Sequence, residues 1–492
     1  EGDREGASLH ANHPPDDYIG VIVPEVEEED EELAGEIEDT LNEAPGMAEG
    51  DADEYADYIQ KDVHPLLNQA VETVVSDDRL GDPVFHAQVN TELLNRIDDE
   101  YTAAVTEDGT VELEGEYWDG RGFLSRIEAR HPEIATEFDD GVSSDFQASL
   151  DELRTKYEDT VPPSELKPTT LRLRVLYEAG VGTDDATIDD EVEAIRFMRN
   201  AEEVKGHLES SIRLKRQADS GGASLHAGHP TDYLGTLGPA TYTADTETWE
   251  RLSEVSYATG DRVGEDSASE YESYIRDEAF PAIDATVEVA VPSEYRTTET
   301  RAQVAAGLTD RLMEEYTAAV TEDGTVELEG EYWDGRGFLV RITEIHETEL
   351  SDEMSDEANE ELSNSLDDLR SSYEETVPPS DLEPAVEDVR TALTDAEFGN
   401  SETGGESDTD GEDENEMDGS ETEGSEGDEP TESSDGDGSE GDDESTESAD
   451  GDSSDTGDDD TGSESGDGSQ GMPGFTVIAA LVALIAAAYI RR

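Results

Sequence analysis

The residues most capable of chemistry in this 492-residue chain are its nine histidines, since it has no cysteine. Six fall into two matched sets: His10, His13 and His131, then His226, His229 and His346. Within each set the first two stand three residues apart, which puts both imidazoles on one face if the stretch is helical. Imidazole ligates zinc, copper, iron and nickel. A third histidine from a neighbouring helix and one carboxylate would complete a transition-metal site. Asp17 or Glu128 could supply that carboxylate in the first set, Asp232 or Glu344 in the second. The same residues also have a plainer reading. Pro14 puts His10 and His13 at a helix end, where an imidazole can cap free carbonyls. With 132 acidic residues in the chain, any histidine lies near an acid. His64, His86 and His207 have no counterpart in the other set.

Trp118, Asp119 and Arg121, with their copies Trp333, Asp334 and Arg336, form the second group of candidates. An arginine in so acidic a chain is expected as an internal ion-pair partner, and a tryptophan as a core anchor. An aromatic-lined ligand site is the alternative. Acidic runs such as 27–32 lack the loop geometry of a calcium site and read as solvated surface. Without cysteine, thiol catalysis and thiolate metal sites are excluded. No HExxH, phosphate-binding glycine loop or GxSxG occurs, so no catalytic residue and no organic cofactor is legible.

These candidates sit in an internal repeat. Ala7-Ser8-Leu9-His10-Ala11 returns as Ala223-Ser224-Leu225-His226-Ala227, and Tyr18 returns as Tyr233. The block 100–124 returns unchanged as 315–339. The expected organisation is module 1 over 1–186, a linking helix over 187–220 and module 2 over 221–398. A stalk (399–471) and a terminal segment (472–492) follow. Apolar spacings of three and four predict amphipathic helices over 51–76 (bent near Pro65), 83–105, 117–134, 143–160 and 189–217. Gly120 and Gly122 weaken the third of these unless close packing needs them. Glu107-Asp108-Gly109-Thr110 before Val111-Glu112-Leu113-Glu114 reads as a turn and a small hairpin or extended insertion. The fold expected is mainly α, two tandem antiparallel helical bundles with that insertion, and a mixed α+β domain is the alternative.

The formal net charge is −102, and only 30 residues are Lys or Arg. The stalk holds no basic residue, yet acid is spread over the whole chain. At molar salt the Debye length falls to about 3 Å and such self-repulsion is screened, so the composition fits concentrated brine. A polyanionic partner for cations is the rival reading, and nucleic-acid binding is disfavoured. The stalk is nearly free of apolar residues and is expected to stay extended, its Ser and Thr open to O-linked sugar. It ends in Met472-Pro473-Gly474-Phe475, an apolar run over 475–490, and Arg491-Arg492. A greasy helix with a basic end places the C-terminus in a membrane and the rest outside. A surface protein needs an export signal; Glu1 opens without one, so it has been removed or more chain lies upstream.

Pro473, Gly474 and Phe475, the apolar run, the two arginines and the acidic spacer together resemble the PGF-CTERM sorting tail of haloarchaeal surface proteins. That resemblance implies cleavage near Pro473 by an archaeosortase, with a lipid replacing the helix as anchor. His10-Ala11-Asn12-His13-Pro14, Glu116-Tyr117-Trp118-Asp119-Gly120-Arg121-Gly122-Phe123 and their second copies are similar to uncharacterised helical surface domains of haloarchaea, sometimes found beside halocyanin-like copper domains. No copper domain is visible here. The function expected first is a non-enzymatic envelope or interaction role on the cell surface, with other envelope proteins as partners. The second is surface binding of a transition metal by the repeated histidines. The tail reading is checked by mass spectrometry of the native C-terminus: the mature chain is expected to lack Arg492, and an intact Arg492 contradicts processing.

Overall fold

A computed structural model describes residues 19–183 and 186–396, together with Ala11 and Phe398. In module 1, α1 (Ile19–Glu27), α2 (Glu31–Ala48), α3 (Ala52–Tyr58), α4 (His64–Val74) and the short α5 (Asp77–Leu80) come first. Four longer helices follow: α6 (Pro83–Ala104), α7 (Glu114–Ile134), α8 (Asp140–Glu158) and α9 (Pro163–Val181). Then come α10 (Glu191–Arg216), α11 (Ser220–Gly228), α12 (Leu234–Ala244), α13 (Thr246–Glu265), α14 (Ala268–Tyr274) and α15 (Phe280–Ala290). A second four-helix set closes the body: α16 (Thr298–Ala319), α17 (Glu329–Ile345), α18 (Asp356–Glu374) and α19 (Pro379–Thr394).

The chain uses its surplus acid to start helices. Asp30, Asp82, Asp139, Asp190 and Asp245 each accept a hydrogen bond from a backbone N–H in the first turn of the helix that follows. A carboxylate there satisfies an orphan donor and complements the helix dipole. The bend expected near Pro65 is a π turn at Ile59–Val63, and Ile275–Ala279 repeats it before Pro281. Proline cannot donate to the ladder, so the preceding turn widens.

The mainly helical expectation holds. Among the described residues no strand forms, and the inserted hairpin shrinks to single bridges, Val105 to Val111 and Val320 to Val326. Each closes a tight turn in which Gly109 or Gly324 takes φ +78°, open to glycine at no steric cost. An added Cβ on Gly109 would lie 2.5 Å from the Thr160 carbonyl oxygen, so the turn is also wedged against the end of α8.

Each four-helix set is clasped by three tyrosines, two of them buried and the third half-buried. Tyr157 donates to the Tyr117 carbonyl at 2.6 Å, Tyr117 to the Tyr157 carbonyl at 3.1 Å, and Tyr101 to the Val161 carbonyl at 2.6 Å. Tyr373, Tyr332 and Tyr316 repeat the pattern. The first glycine of each Gly-x-Gly pair makes room for a tyrosine: a Cβ on Gly120 would lie 2.5 Å from the Tyr157 hydroxyl, and one on Gly335 2.6 Å from that of Tyr373.

Helix α10 runs through the second module, packed on α11, α15, α16 and α17. Its buried residues include Glu202, Glu203, Lys205, His207, Glu209, Ser210 and Ser211. Burying ions is costly unless they are paired. Glu202 is held by Arg341 at 2.8 Å, Arg301 at 2.9 Å and Lys205 at 3.2 Å. Where α10 meets α17, Gly206 faces Gly337 and Phe338, and an added Cβ on Gly337 would run into the Gly206 carbonyl oxygen. That approach is what Gly337 is for. Gly337→Ala is expected to lower stability by about 1–3 kcal/mol, the usual cost of overpacking. Thermal melts of the two proteins in the same molar salt check it; an unchanged midpoint contradicts the close approach.

Candidate metal centre

Four side chains from three places in the chain converge beside this contact. His207 comes from the middle of α10, His226 from α11, His229 from the single turn that follows it, and Asp334 from the first half of α17. One ligand atom from each lies within 4.8 Å of all the others. His226 Nδ1 is 2.7 Å from Asp334 Oδ1, and His207 Nδ1 contacts the same oxygen. His229 Nδ1 is 2.9 Å from His207 Nδ1 and 3.8 Å from Asp334 Oδ1.

The local sequence explains the placement. Pro230 ends α11, as the helix-end reading of His-x-x-His-Pro requires, and His229 and Pro230 begin a 3₁₀ turn. The imidazoles nevertheless turn inward rather than cap carbonyls. His226 is fully buried, and its Nε2 has no hydrogen-bond partner among the described residues. A buried ring nitrogen without a partner is costly, which favours an occupant beside the pair. Burial would push the Asp334 carboxyl up, but hydrogen bonds to His207 and His226 hold it well below the usual range, so it stays ionised. His229 is held below its ordinary value by burial first and then by His207. A neutral imidazole is the ligand form. Three imidazole nitrogens and one carboxylate oxygen fit a borderline divalent metal such as iron, zinc, copper or nickel.

The histidine sets of the sequence divide here. His226 and His229 come together, but His346 does not join them. It lies twelve residues along α17 from Asp334, roughly 18 Å at 1.5 Å per residue, and its Nε2 is 2.7 Å from Asn359 Oδ1. The expected carboxylates also act elsewhere: Glu344 pairs with Arg341, and Glu128 with Arg154 at 2.6 Å. His131 stacks on Phe146 with ring centroids 4.0 Å apart, and burial pushes it down to about 4. His10 and His13 lie outside the described residues. The donors that the histidine sets left out are His207, which has no counterpart, and Asp334, grouped instead with Trp333 and Arg336. Arg336 pairs with Glu374. The available signal was α10 itself, a helix carrying polar residues on every face.

Next to the donors, Glu315 of α16 shares a hydrogen bond with Glu331 of α17. Burial first, then that hydrogen bond, pushes Glu315 up to about 8. Module 1 repeats the pair: Glu100 is pushed up to about 9 by burial and by Glu116. At neutral pH each pair therefore holds a proton.

The chain matches the iron permease-associated 4-helix bundle domain twice, over residues 76–176 and 292–404. Those segments span α6–α9, short of the last residues of α9, and α16–α19, so each four-helix set is similar to that domain. Residues 472–492 match the PGF-CTERM motif. The motif marks C-terminally anchored, archaeosortase-processed cell-surface proteins of haloarchaea, and this chain is anchored and placed accordingly. No curated protein and no solved structure matches the chain. Among the described residues no helix is long and apolar enough to cross a membrane; the run 475–490 lies outside them. Of the four donors, only Asp334 falls within a matched segment. The three histidines come from the helices packed against the bundle.

The shared protons set a pH dependence. A carboxyl raised in the folded state adds stability that is full below its unfolded value of about 4.5 and is lost as pH rises through the folded value. Glu315→Gln is expected to match the parent protein near pH 5 and to melt a few degrees higher at pH 9. Melts across pH at constant salt test this, and parallel curves contradict the shared proton.

Proposed function

We propose that this anchored surface protein captures a transition metal outside the cell, with iron as the leading candidate, in the site made by His207, His226, His229 and Asp334. The observation that carries the reading is the convergence of three imidazoles on one buried carboxylate within 4.8 Å. The name of the matching domain adds iron to the chemistry of the donors. When bound, the metal supplies a Lewis-acidic, exchangeable centre. The chain supplies three neutral nitrogens, one negative charge and a site walled by Phe338 and Tyr233. The repeat supplies a matching set in module 1: His10, His13 and Asp119 stand in sequence where His226, His229 and Asp334 stand in module 2, and we extend the proposal to them. Asp119 is fully buried, as a carboxylate serving such a site would be.

An envelope or interaction role is the second reading. It draws on the exposed Trp118 and Leu113, an apolar pair on a very acidic surface. It gives no reason for gathering three histidines, two of them buried, around an ionised aspartate.

The test is metal uptake by the folded chain in molar potassium chloride. Fe(II), Co(II), Zn(II) and Cu(II) are offered separately, and bound metal is measured after gel filtration. The parent protein is expected to retain stoichiometric metal, and the double variant His226→Ala/His229→Ala to lose one ion per chain. A folded parent protein that retains none of the four overturns the reading.

A further inference from the structure

The His207 ring has a second nitrogen that faces away from the other donors. Its Nε2 lies 3.3 Å from the Tyr233 hydroxyl, and that hydroxyl donates to Glu203 Oε2 at 2.8 Å. Glu203 is buried and is charge-balanced by two arginines, with Arg199 Nε at 3.0 Å and Arg311 Nε at 3.7 Å. The links come from three elements. Glu203 sits one helical turn before His207 on α10, Arg199 one turn before that, Arg311 on α16, and Tyr233 at the start of α12. Nothing in the packing of α10 alone requires a tyrosine there. The hydroxyl spans the gap between a buried anion and an imidazole that the anion does not touch directly.

We propose that Tyr233 and Glu203 are positioning residues that hold the proton of His207 on Nε2, so that Nδ1 is presented to the metal. The proposal rests on the metal reading above. A neutral imidazole has one N–H and one lone pair. With the Tyr233 proton committed to Glu203, the tyrosine oxygen can only accept, so once a metal replaces the Nδ1 hydrogen bond to Asp334 the ring proton of His207 is held on Nε2. Its lone pair then lies on Nδ1, the nitrogen that faces His229 and Asp334. The anion at the far end also makes that nitrogen more basic and a stronger donor. The direction of each link is set at its origin, where Glu203 lies between two guanidinium groups and accepts from the Tyr233 hydroxyl.

The arrangement differs from the usual histidine–carboxylate pair in having a phenol between the two groups. The phenol keeps the buried carboxylate a full side chain away from the metal position. Two anions, Asp334 and Glu203, therefore serve one site without facing each other. It also fixes the angle of the ring, because Phe338 packs edge-on against His207 on another side, with centroids 5.2 Å apart.

Three variants test this: Tyr233→Phe, Glu203→Gln and the double variant, each titrated with Co(II) in molar potassium chloride and read by the Co(II) visible bands. Tyr233→Phe keeps the ring and loses only the hydroxyl. It is expected to bind Co(II) about 10–100-fold more weakly, the usual loss when the outer partner of a ligand is removed, with shifted visible bands and an unchanged far-ultraviolet spectrum. Because the two residues act in series, the double variant should lose no more affinity than Tyr233→Phe alone; fully additive losses would mean a general structural effect and overturn the relay. Nitrogen-15 spectra of the Zn(II)-loaded parent protein should show His207 protonated at Nε2. A proton on Nδ1, or Tyr233→Phe binding within twofold of the parent, sinks the proposal while leaving the metal site standing. A parent protein that binds neither Co(II) nor Zn(II) removes the metal reading and this one with it.

Discussion

An ionised aspartate inside a helical bundle is the constraint on which the second module turns. Asp334 sits on α17 with its side chain almost wholly out of water. A lone carboxylate there would be protonated or would destabilise the fold. It keeps its charge because α10 passes close enough to present His207, and α11 folds back to present His226. That approach depends on Gly206 and Gly337, which bring two backbones together, and on Ser210, which donates to the Trp333 carbonyl. One turn along α10, Glu202 solves the same problem with three cations. The charged interior of α10 thus holds two neutralised centres, one closed by Lys and Arg, the other by histidines.

Identical sequence does different work in the two modules. The block 100–124 recurs as 315–339 without a change. Both copies build the tyrosine clasp, the tight turn and the proton-sharing glutamate pair. The tryptophans differ, however. Trp333 lies beneath the Arg213 guanidinium of α10, 5.4 Å from its ring, whereas Trp118 is 59% exposed. The surroundings, not the residue, decide whether the indole is covered. Module 1 and module 2 also touch directly, through α9 and α12 and through Tyr242, which donates to Asp145.

The acidity of the chain bears on how the proposed site would select its ion. A strongly negative surface raises the local concentration of every cation, and in brine most of that attraction is screened away. Long-range charge therefore cannot tell iron from potassium. The selection falls to the short-range donors: imidazole nitrogen prefers a borderline transition metal over the hard cations that fill the medium. Three nitrogens to one oxygen is a sensible ratio for a protein surrounded by carboxylates, any of which would take a hard cation.

The helical class, the duplication, the brine-adapted charge and the anchored tail were all legible in the sequence, because each is a matter of periodicity, composition or a linear motif. So was half of the histidine reading: His226 and His229 are three residues apart, and local geometry alone puts them together. Their partners were not legible. His207 is 19 residues before His226 and Asp334 is 108 after it, on helices whose relative rotation no local pattern records. His346 looked equivalent to a donor because the repeat pairs it with His131, yet its position near the end of α17 carries it a long way from Asp334. Tertiary packing decided the site because a helix fixes which residues share its own face, while only the glycine-lined contact between α10 and α17 fixes which faces meet.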